Sequence, residues 1–318
     1  MRIIENNSLE ALRTCNYVYN SKLGCMVSDN LYLSVVATNK CQCNCPYCIN
    51  SLTDKSLELP LEKAKTNISK AVGELGIKEA VILGGEPTLY KDLIPLIQFL
   101  KKETGLRKVG FTTNGIKLKD DDYLKSLLET DVDFINISYH RHGEFLQYGE
   151  LMHIYDVFSN NKDRQTQRLR INTNIWKGNN DTLKSLLFFI KQINTCCDEI
   201  RISNIIRKDG FSVNPQQRDD AEPMYMNDEE YENLFKELLD HYSYDGYTII
   251  HNPAALGFVN YYLIPTQSPI IVNWNIDSKV SEQVCENDLA NRKIHTVKCL
   301  VSGDISLSWN KGNIINLN

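Results

Sequence analysis

No stretch of this 318-residue chain approaches eighteen consecutive apolar residues, which rules out a membrane-spanning helix on length. A secretory leader is missing too, because the first residues, MRIIENNSLEALRT, are too polar for one. Together these lead to the expectation of a soluble cytoplasmic protein with no membrane partner. A basic excess is absent: 35 Lys and Arg stand against 40 Asp and Glu, a net charge of −5. A general nucleic-acid binder is therefore not expected, although a local basic pocket is compatible with that balance. Low-complexity tracts and fixed-period repeats are also missing. With 42% hydrophobic and 24% charged residues the composition is that of an ordinary globular chain. Its length suits one large core, with or without an appendage.

Cysteine is what the chain does have, at ten residues. Without an export signal, clustered cysteines point to metal or redox chemistry rather than disulfides. Four fall within CQCNCPYC at 41–48. Cys41, Cys45 and Cys48 have C-x3-C-x2-C spacing, and three thiolates on one short loop suit three irons of a [4Fe–4S] cubane. The fourth iron would then lack a protein ligand, and an open coordination position marks a catalytic metal centre. The overlapping set Cys43, Cys45 and Cys48 could instead bind zinc, given a distant fourth ligand such as Cys299. A zinc-stabilised binding protein thus stays open on spacing alone. Cys15, Cys25, Cys196 and Cys197 are expected to be buried structural thiols.

From 31 to 205, short apolar runs alternate with helical periodicity. Strands are expected at Leu31–Ala37, Glu79–Leu83, Lys108–Thr113, Asp133–Ser138, Arg168–Ile175 and Glu199–Asn204. Helices are expected at Leu61–Leu75, Asp92–Glu103, Asp121–Glu129 and Thr182–Ile193, with a weaker one before Ser159. Six strand–helix units in this order favour parallel pairing. The expected fold class is α/β: a partial (β/α)6 TIM-like barrel at 31–205, preceded by an N-terminal segment at 1–30. Residues 206–318 are expected to form a C-terminal α+β extension that caps the substrate side. It would contain a helix at Asp228–Leu239 and a hairpin at Val297–Trp309 turning at Ser302-Gly303-Asp304.

Gly84-Gly85-Glu86-Pro87 follows the second expected strand, where glycines would let backbone approach a ligand. Combined with C-x3-C-x2-C after the first strand, it resembles the radical S-adenosylmethionine (radical SAM) superfamily over 31–205. That resemblance implies one [4Fe–4S] cluster on Cys41, Cys45 and Cys48, and S-adenosylmethionine on its open iron. Gly84, Gly85 and Glu86 would receive the amino group of the cofactor by their backbone. Thr112 and Asn114 belong to a TTNG-like segment. Ser138 would meet the methionyl carboxylate, Asn172 and Asn174 the ribose, and Ile202, Ser203 and Asn204 would flank adenine, with the Tyr47 backbone at the adenine amine. Reductive cleavage would release methionine and a 5′-deoxyadenosyl radical that abstracts hydrogen from substrate. An electron donor such as flavodoxin or ferredoxin is the implied partner.

Within that superfamily the segment at 169–190 is most similar to the cyclase branch that begins molybdenum-cofactor synthesis from GTP. Tyr90 stands where that branch has an arginine, and its C-terminal cluster motif and Gly-Gly tail are absent. The implied substrate is therefore only a small polar metabolite, nucleotide or peptide, undergoing cyclisation, epimerisation, dehydrogenation or rearrangement. A glycyl-radical activase is the alternative within redox chemistry. Cys299 is the candidate catalytic hydrogen donor, as in the family's epimerases, with Cys285 the weaker thiol. Arg164, Arg168, Arg170, Arg201 and Arg207 offer an arginine pocket for a carboxylate or phosphate. His140 and His142 are candidate acid–base groups.

Overall fold

The computed structural model describes residues 2–3, 17–48, 50, 53–141, 143–162, 166–205, 223–244, 246–255, 258–265, 271–277, 293–307 and 314–315. The chain opens with β1 (Arg2–Ile3), β2 (Tyr17–Asn20) and the long β3 (Cys25–Thr38). Then come α1 (Leu61–Leu75), β4 (Glu79–Gly84), α2 (Leu93–Lys102), β5 (Lys108–Thr113) and α3 (Asp121–Leu128). The alternation continues through β6 (Phe134–Ser138), α4 (Tyr148–Asn161), β7 (Arg168–Ile175), α5 (Leu183–Ile193) and β8 (Glu199–Asn204). After it lie α6 (Asp228–Ser243), β9 (Tyr247–Ala255), β10 (Phe258–Pro265), β11 (Ile271–Asp277), β12 (Lys293–Cys299) and β13 (Ile305–Ser306).

The helices form for local reasons. In α1, Ala64, Ile68, Ala71 and Leu75 recur at helical spacing and are buried, and Gly76 ends it in the left-handed region at φ 69°. Asp120 caps α3 by accepting from the Asp122 and Tyr123 amides, and Thr182 caps α5 at Ser185. Asn227 and Glu230 exchange bonds at the start of α6.

The six expected strands pair in parallel in the order β3-β4-β5-β6-β7-β8. The later part of the chain adds a parallel strand at each edge, β11 beside β8 and β12 beside β3. Beyond β11 the sheet continues antiparallel through β10, β9 and β1, and β13 pairs with β12. The result is an open, TIM-like arc rather than a closed barrel. β3 starts six residues before the run that marks it in the sequence, because Cys25–Ser28 pair with β2. The hairpin turn falls as expected: Leu300 N donates to Asp304 O, and Gly303 sits at φ 81°.

Alternation along the strands divides the sheet into two faces. Leu33, Val35, Ile82, Phe111, Ile137, Ile171 and Ile202 point one way and pack on Ile68, Leu96, Leu127, Ile154 and Ile190 of the helices. Burial of each such side chain contributes on the order of 1.5–3 kcal/mol. The opposite, inner face of β5–β8 is polar: Thr112, Asn136, Ser138, Arg170, Asn172, Asn174, Arg201 and Ser203. Among the described residues no helix is long and apolar enough to cross a membrane.

Candidate active site

The cysteine loop and the glycine segment are stitched together. At the end of β3, Thr38 O accepts from Gly85 N and Lys40 O accepts from Glu86 N, both at 2.6 Å. A Cβ on Gly84 would collide with the Thr38 backbone, and one on Gly85 with the Asn39 and Lys40 carbonyls. Gly84 also holds φ 148°, which disfavours any other residue. The glycines therefore allow a close approach of chain to chain. From the other side, Asn39 N donates to Leu57 O, Asn39 Nδ2 to Asp54 O, and Thr38 Oγ1 to Leu57 O.

Glu86 is buried, and its carboxylate is saturated. Oε1 accepts from Thr88 N at 3.0 Å, Thr88 Oγ1 at 2.7 Å and Thr113 Oγ1 at 2.6 Å, while Oε2 accepts from Asn114 N at 2.7 Å. Its backbone is engaged too, N donating to Lys40 O and the carbonyl accepting from Leu89 N at 3.0 Å, so only the carbonyl's second lone pair remains for a ligand. Asn114 in turn reaches back, donating from Nδ2 to Cys43 Sγ at 3.3 Å and accepting from Gln42 at 3.4 Å. The rim of β3, β4 and β5 is thus one hydrogen-bonded unit around the cysteines.

Cys41, Cys43, Cys45 and Cys48 are all part-buried. Burial raises the Cys41 thiol pKa and pushes Cys43 and Cys45 up to about 12, with neighbouring thiolates adding to the last two. Cys41 couples electrostatically to Cys48, and so does Cys45. Gathering thiolates here needs a multivalent cation to displace their protons, which a [4Fe–4S] cluster supplies. Among the described residues no three His, Cys, Asp or Glu side chains are already drawn in to metal-binding spacing. The fit to a cluster therefore rests on the donor set, three coupled thiols on one loop.

An aromatic cluster over this loop was not legible in the sequence. Tyr47 packs on Trp176 with centroids 4.9 Å apart and on His140 at 5.3 Å, and its hydroxyl donates to Glu144 Oε1 at 2.6 Å. The residues come from three separate loops, after β3, β6 and β7, so no local spacing announces them. Burial presses the His140 pKa down to about 3, and its Nδ1 accepts from Asn174 N at 2.9 Å. It is a neutral, structural imidazole, which removes the acid–base role considered for it. His142, Cys15, Arg164, Arg207 and Cys285 lie outside the described residues.

Most of the remaining sequence candidates lie on the inner face near these strand ends. Thr112 Oγ1 accepts from Asn136 Nδ2. Ser138 is in register with Asn172, and Asn174 with Ser203, all four part-exposed. Cys299 is not brought to them. It pairs with Val35 on the helix-packed face, fully buried, with Asp304 and Lys63 as its charged neighbours. That position separates it from the loop thiols and from any substrate on the inner face.

Residues 35–157 match the Radical SAM superfamily. GTP 3',8-cyclase of Thermodesulfovibrio yellowstonii is 26% identical over 171 residues, covering 51% of this chain and 53% of the cyclase. The Staphylococcus aureus GTP 3',8-cyclase is 36% identical over 124 residues, 37% of this chain and 35% of its own. The chain therefore spans about half or less of the curated relatives it matches. Among solved structures, SuiB of Streptococcus suis bound to S-adenosylmethionine is similar at a TM-score of 0.59 and 14% identity, over 90% of this chain and 62% of SuiB. Native anSMEcpe with bound AdoMet follows at 0.51 and 17%, over 68% and 61%. Those two likenesses show the fold. The sequence match takes in the cysteine loop, the glycine segment and the strands between them, so residues 35–157 carry a radical SAM domain, and over that region the chain is similar to enzymes of that superfamily.

Proposed function

We propose that this chain holds a [4Fe–4S] cluster through Cys41, Cys45 and Cys48 and binds S-adenosylmethionine along the ends of β4–β8. The observation that carries this is the pair of 2.6 Å bonds joining the cysteine loop to Gly85 and Glu86, which makes the two motifs one structure. When bound, the reduced cluster supplies the electron that splits S-adenosylmethionine, giving a 5′-deoxyadenosyl radical able to take hydrogen from an unactivated carbon. The protein's part is to position and to exclude.

In this reading the Gly84 and Glu86 backbone carbonyls receive the cofactor's amino group. Ser138 donates to its carboxylate, Asn172 and Asn174 hold the ribose, and Ser203 with the Tyr47 backbone borders adenine. The Tyr47–Trp176–His140 cluster shields the loop from water. Asn114, committed to Cys43, steadies the loop instead of reaching the cofactor. Cys43 is then a bystander, and Cys299, on the helix-packed face, is not the hydrogen donor. Tyr90 argues for a substrate other than GTP: it is buried, with its hydroxyl on Leu59 O at 2.7 Å, leaving no cation at that position for a nucleotide. A flavodoxin or ferredoxin would deliver the electron.

The test is anaerobic reconstitution with iron and sulfide, followed by dithionite and S-adenosylmethionine. About four irons per chain and 5′-deoxyadenosine release are expected. Zinc in their place, or a loaded cluster that forms no deoxyadenosine, overturns the proposal.

A further inference from the structure

Beside the residues assigned to the cofactor, the inner face of β7 and β8 carries charge to which the cofactor reading gives no role. Arg170 on β7 donates from Nε to Glu199 Oε2 at 3.0 Å, and its guanidinium lies 4.7 Å from the Phe134 ring. Asn273 Nδ2 takes the other Glu199 oxygen at 2.9 Å. Glu199 is thereby fully engaged. Arg201, one alternation further along β8, is left beside this pair with a second positive charge. Among the described residues no carboxylate lies within ion-pair distance of it. Its Nε is buried without a hydrogen-bond partner, and so are the Oδ1 atoms of Asn136 and Asn172.

Such groups are costly to leave unmade, at roughly 1–3 kcal/mol each and more for a charged one. Burial lowers the Arg201 pKa, and the Arg170 charge lowers it further. The side chain is nevertheless part-exposed, so the face is open to something that could complete it. A stabilising core would have closed the pair around one arginine. Two arginines against one saturated carboxylate leave one positive charge, one orphan donor and three orphan acceptors, on Asn136, Asn172 and Asn273, on this face.

Register gives the distance scale. Ser138, Asn172, Arg201 and Asn273 form one row across β6, β7, β8 and β11. Neighbouring strands are about 4.8 Å apart, so Arg201 stands about 10 Å from the strand of Ser138. This is the span of a small metabolite, not of a folded partner.

We infer that Arg201 anchors the substrate, and that the substrate is a small organic anion whose carboxylate or phosphate meets the Arg201 guanidinium while a hydroxyl or amino group donates to Asn136 Oδ1. The inference rests on the cofactor site proposed above and adds the substrate class. Guanidinium recognises both oxyanions through the same parallel N–H donors.

The probes are inorganic phosphate and acetate, titrated into the anaerobically reconstituted protein while its arginine Nε–H resonances are followed after 15N-arginine labelling. The Arg201 resonance, assigned by its loss in Arg201→Lys, should shift saturably with one of the two, and which one names the oxyanion. In Arg201→Gln and Arg201→Lys binding is followed at the Arg170 Nε–H resonance on the neighbouring strand, and in Arg201→Gln it should weaken roughly tenfold to a hundredfold. Arg168→Gln, an exposed position on β7, should bind as the wild type does. Arg201→Lys keeps the charge and tests the site even if the glutamine variant misfolds. No saturable shift with either anion, or equal affinity in Arg201→Gln, overturns the inference. Deoxyadenosine formation is measured on the same samples. A protein that makes it yet binds no anion keeps the cofactor reading and sinks this one, whereas saturable binding without it supports the anion site and sinks the cofactor reading.

Discussion

Glu86→Gln removes one acceptor from a carboxylate that serves four donors. A glutamine has a single acceptor oxygen. If that oxygen keeps the Oε1 position, its NH2 faces the Asn114 amide, donor against donor. If the amide is turned over, Asn114 keeps its partner, and the two threonine hydroxyls can rotate to accept. The Thr88 amide cannot. Either way one buried backbone N–H loses its acceptor and one charge-assisted bond goes with it. The expected cost is about 2–4 kcal/mol, or roughly 3–6 °C in melting temperature for a chain of 318 residues. Urea unfolding followed by far-UV circular dichroism, on protein without iron, isolates this term from cluster binding. Thr113→Val is the comparison: it removes the 2.6 Å hydroxyl donor and the Gly115 amide's acceptor but leaves Asn114 N on the carboxylate, and should cost less. A Glu86→Gln protein within about 0.5 kcal/mol of the wild type would refute the claim that this carboxylate fastens β4 to β5.

Gly85→Ala should lose most of its iron after reconstitution, because the added methyl meets the carbonyls of Asn39 and Lys40 and must displace the start of the cysteine loop; iron near the wild-type level would contradict this. Cys41→Ala should abolish the cluster's visible absorption and Cys43→Ala should retain it, so an equal loss in both would remove the distinction between ligand and bystander. His140 gives a pH dependence. Its pKa falls from 6.5 to about 3 on folding, so the unfolded chain binds more protons between those values. Its stabilisation is complete above pH 6.5 and is lost as pH falls toward 3, amounting to about 2 kcal/mol between neutral pH and pH 5. Denaturation midpoints across that range should slope less in His140→Gln, and an unchanged slope would mean that the imidazole is not buried and neutral.

The sequence shows most of what repeats and little of what converges. All six central strands are legible because each is an apolar run bounded by helical periodicity, and the cysteine and glycine motifs are legible because their members are adjacent in the chain. The inner face of β7 and β8 appears only as a loose crowd of arginines. That Arg170 has a carboxylate in ion-pair contact, while Arg201 has none among the described residues, follows in part from β11, which brings Asn273 to Glu199 from 74 residues away. The Tyr47–Trp176–His140 cluster is hidden for the same reason. Cys299 shows the opposite error. A thiol in a strand has a face as well as a position, and one step of alternation puts it among the helices.

The two edge strands set a schedule for making the molecule. β3 carries the cysteine loop, yet Tyr32 and Leu33 pair with Thr296 and Val297 near the other end of the chain. Until β12 has left the ribosome, the outer edge of β3 presents unpaired amides and carbonyls that another nascent chain could adopt. Long-range parallel pairing of this kind is slow to form. The half of the protein that carries the proposed iron ligands is therefore synthesised first and protected last, so cluster insertion and chaperone release should both wait on β12. A chain shortened before Lys293 should aggregate even though every cysteine of its loop is present.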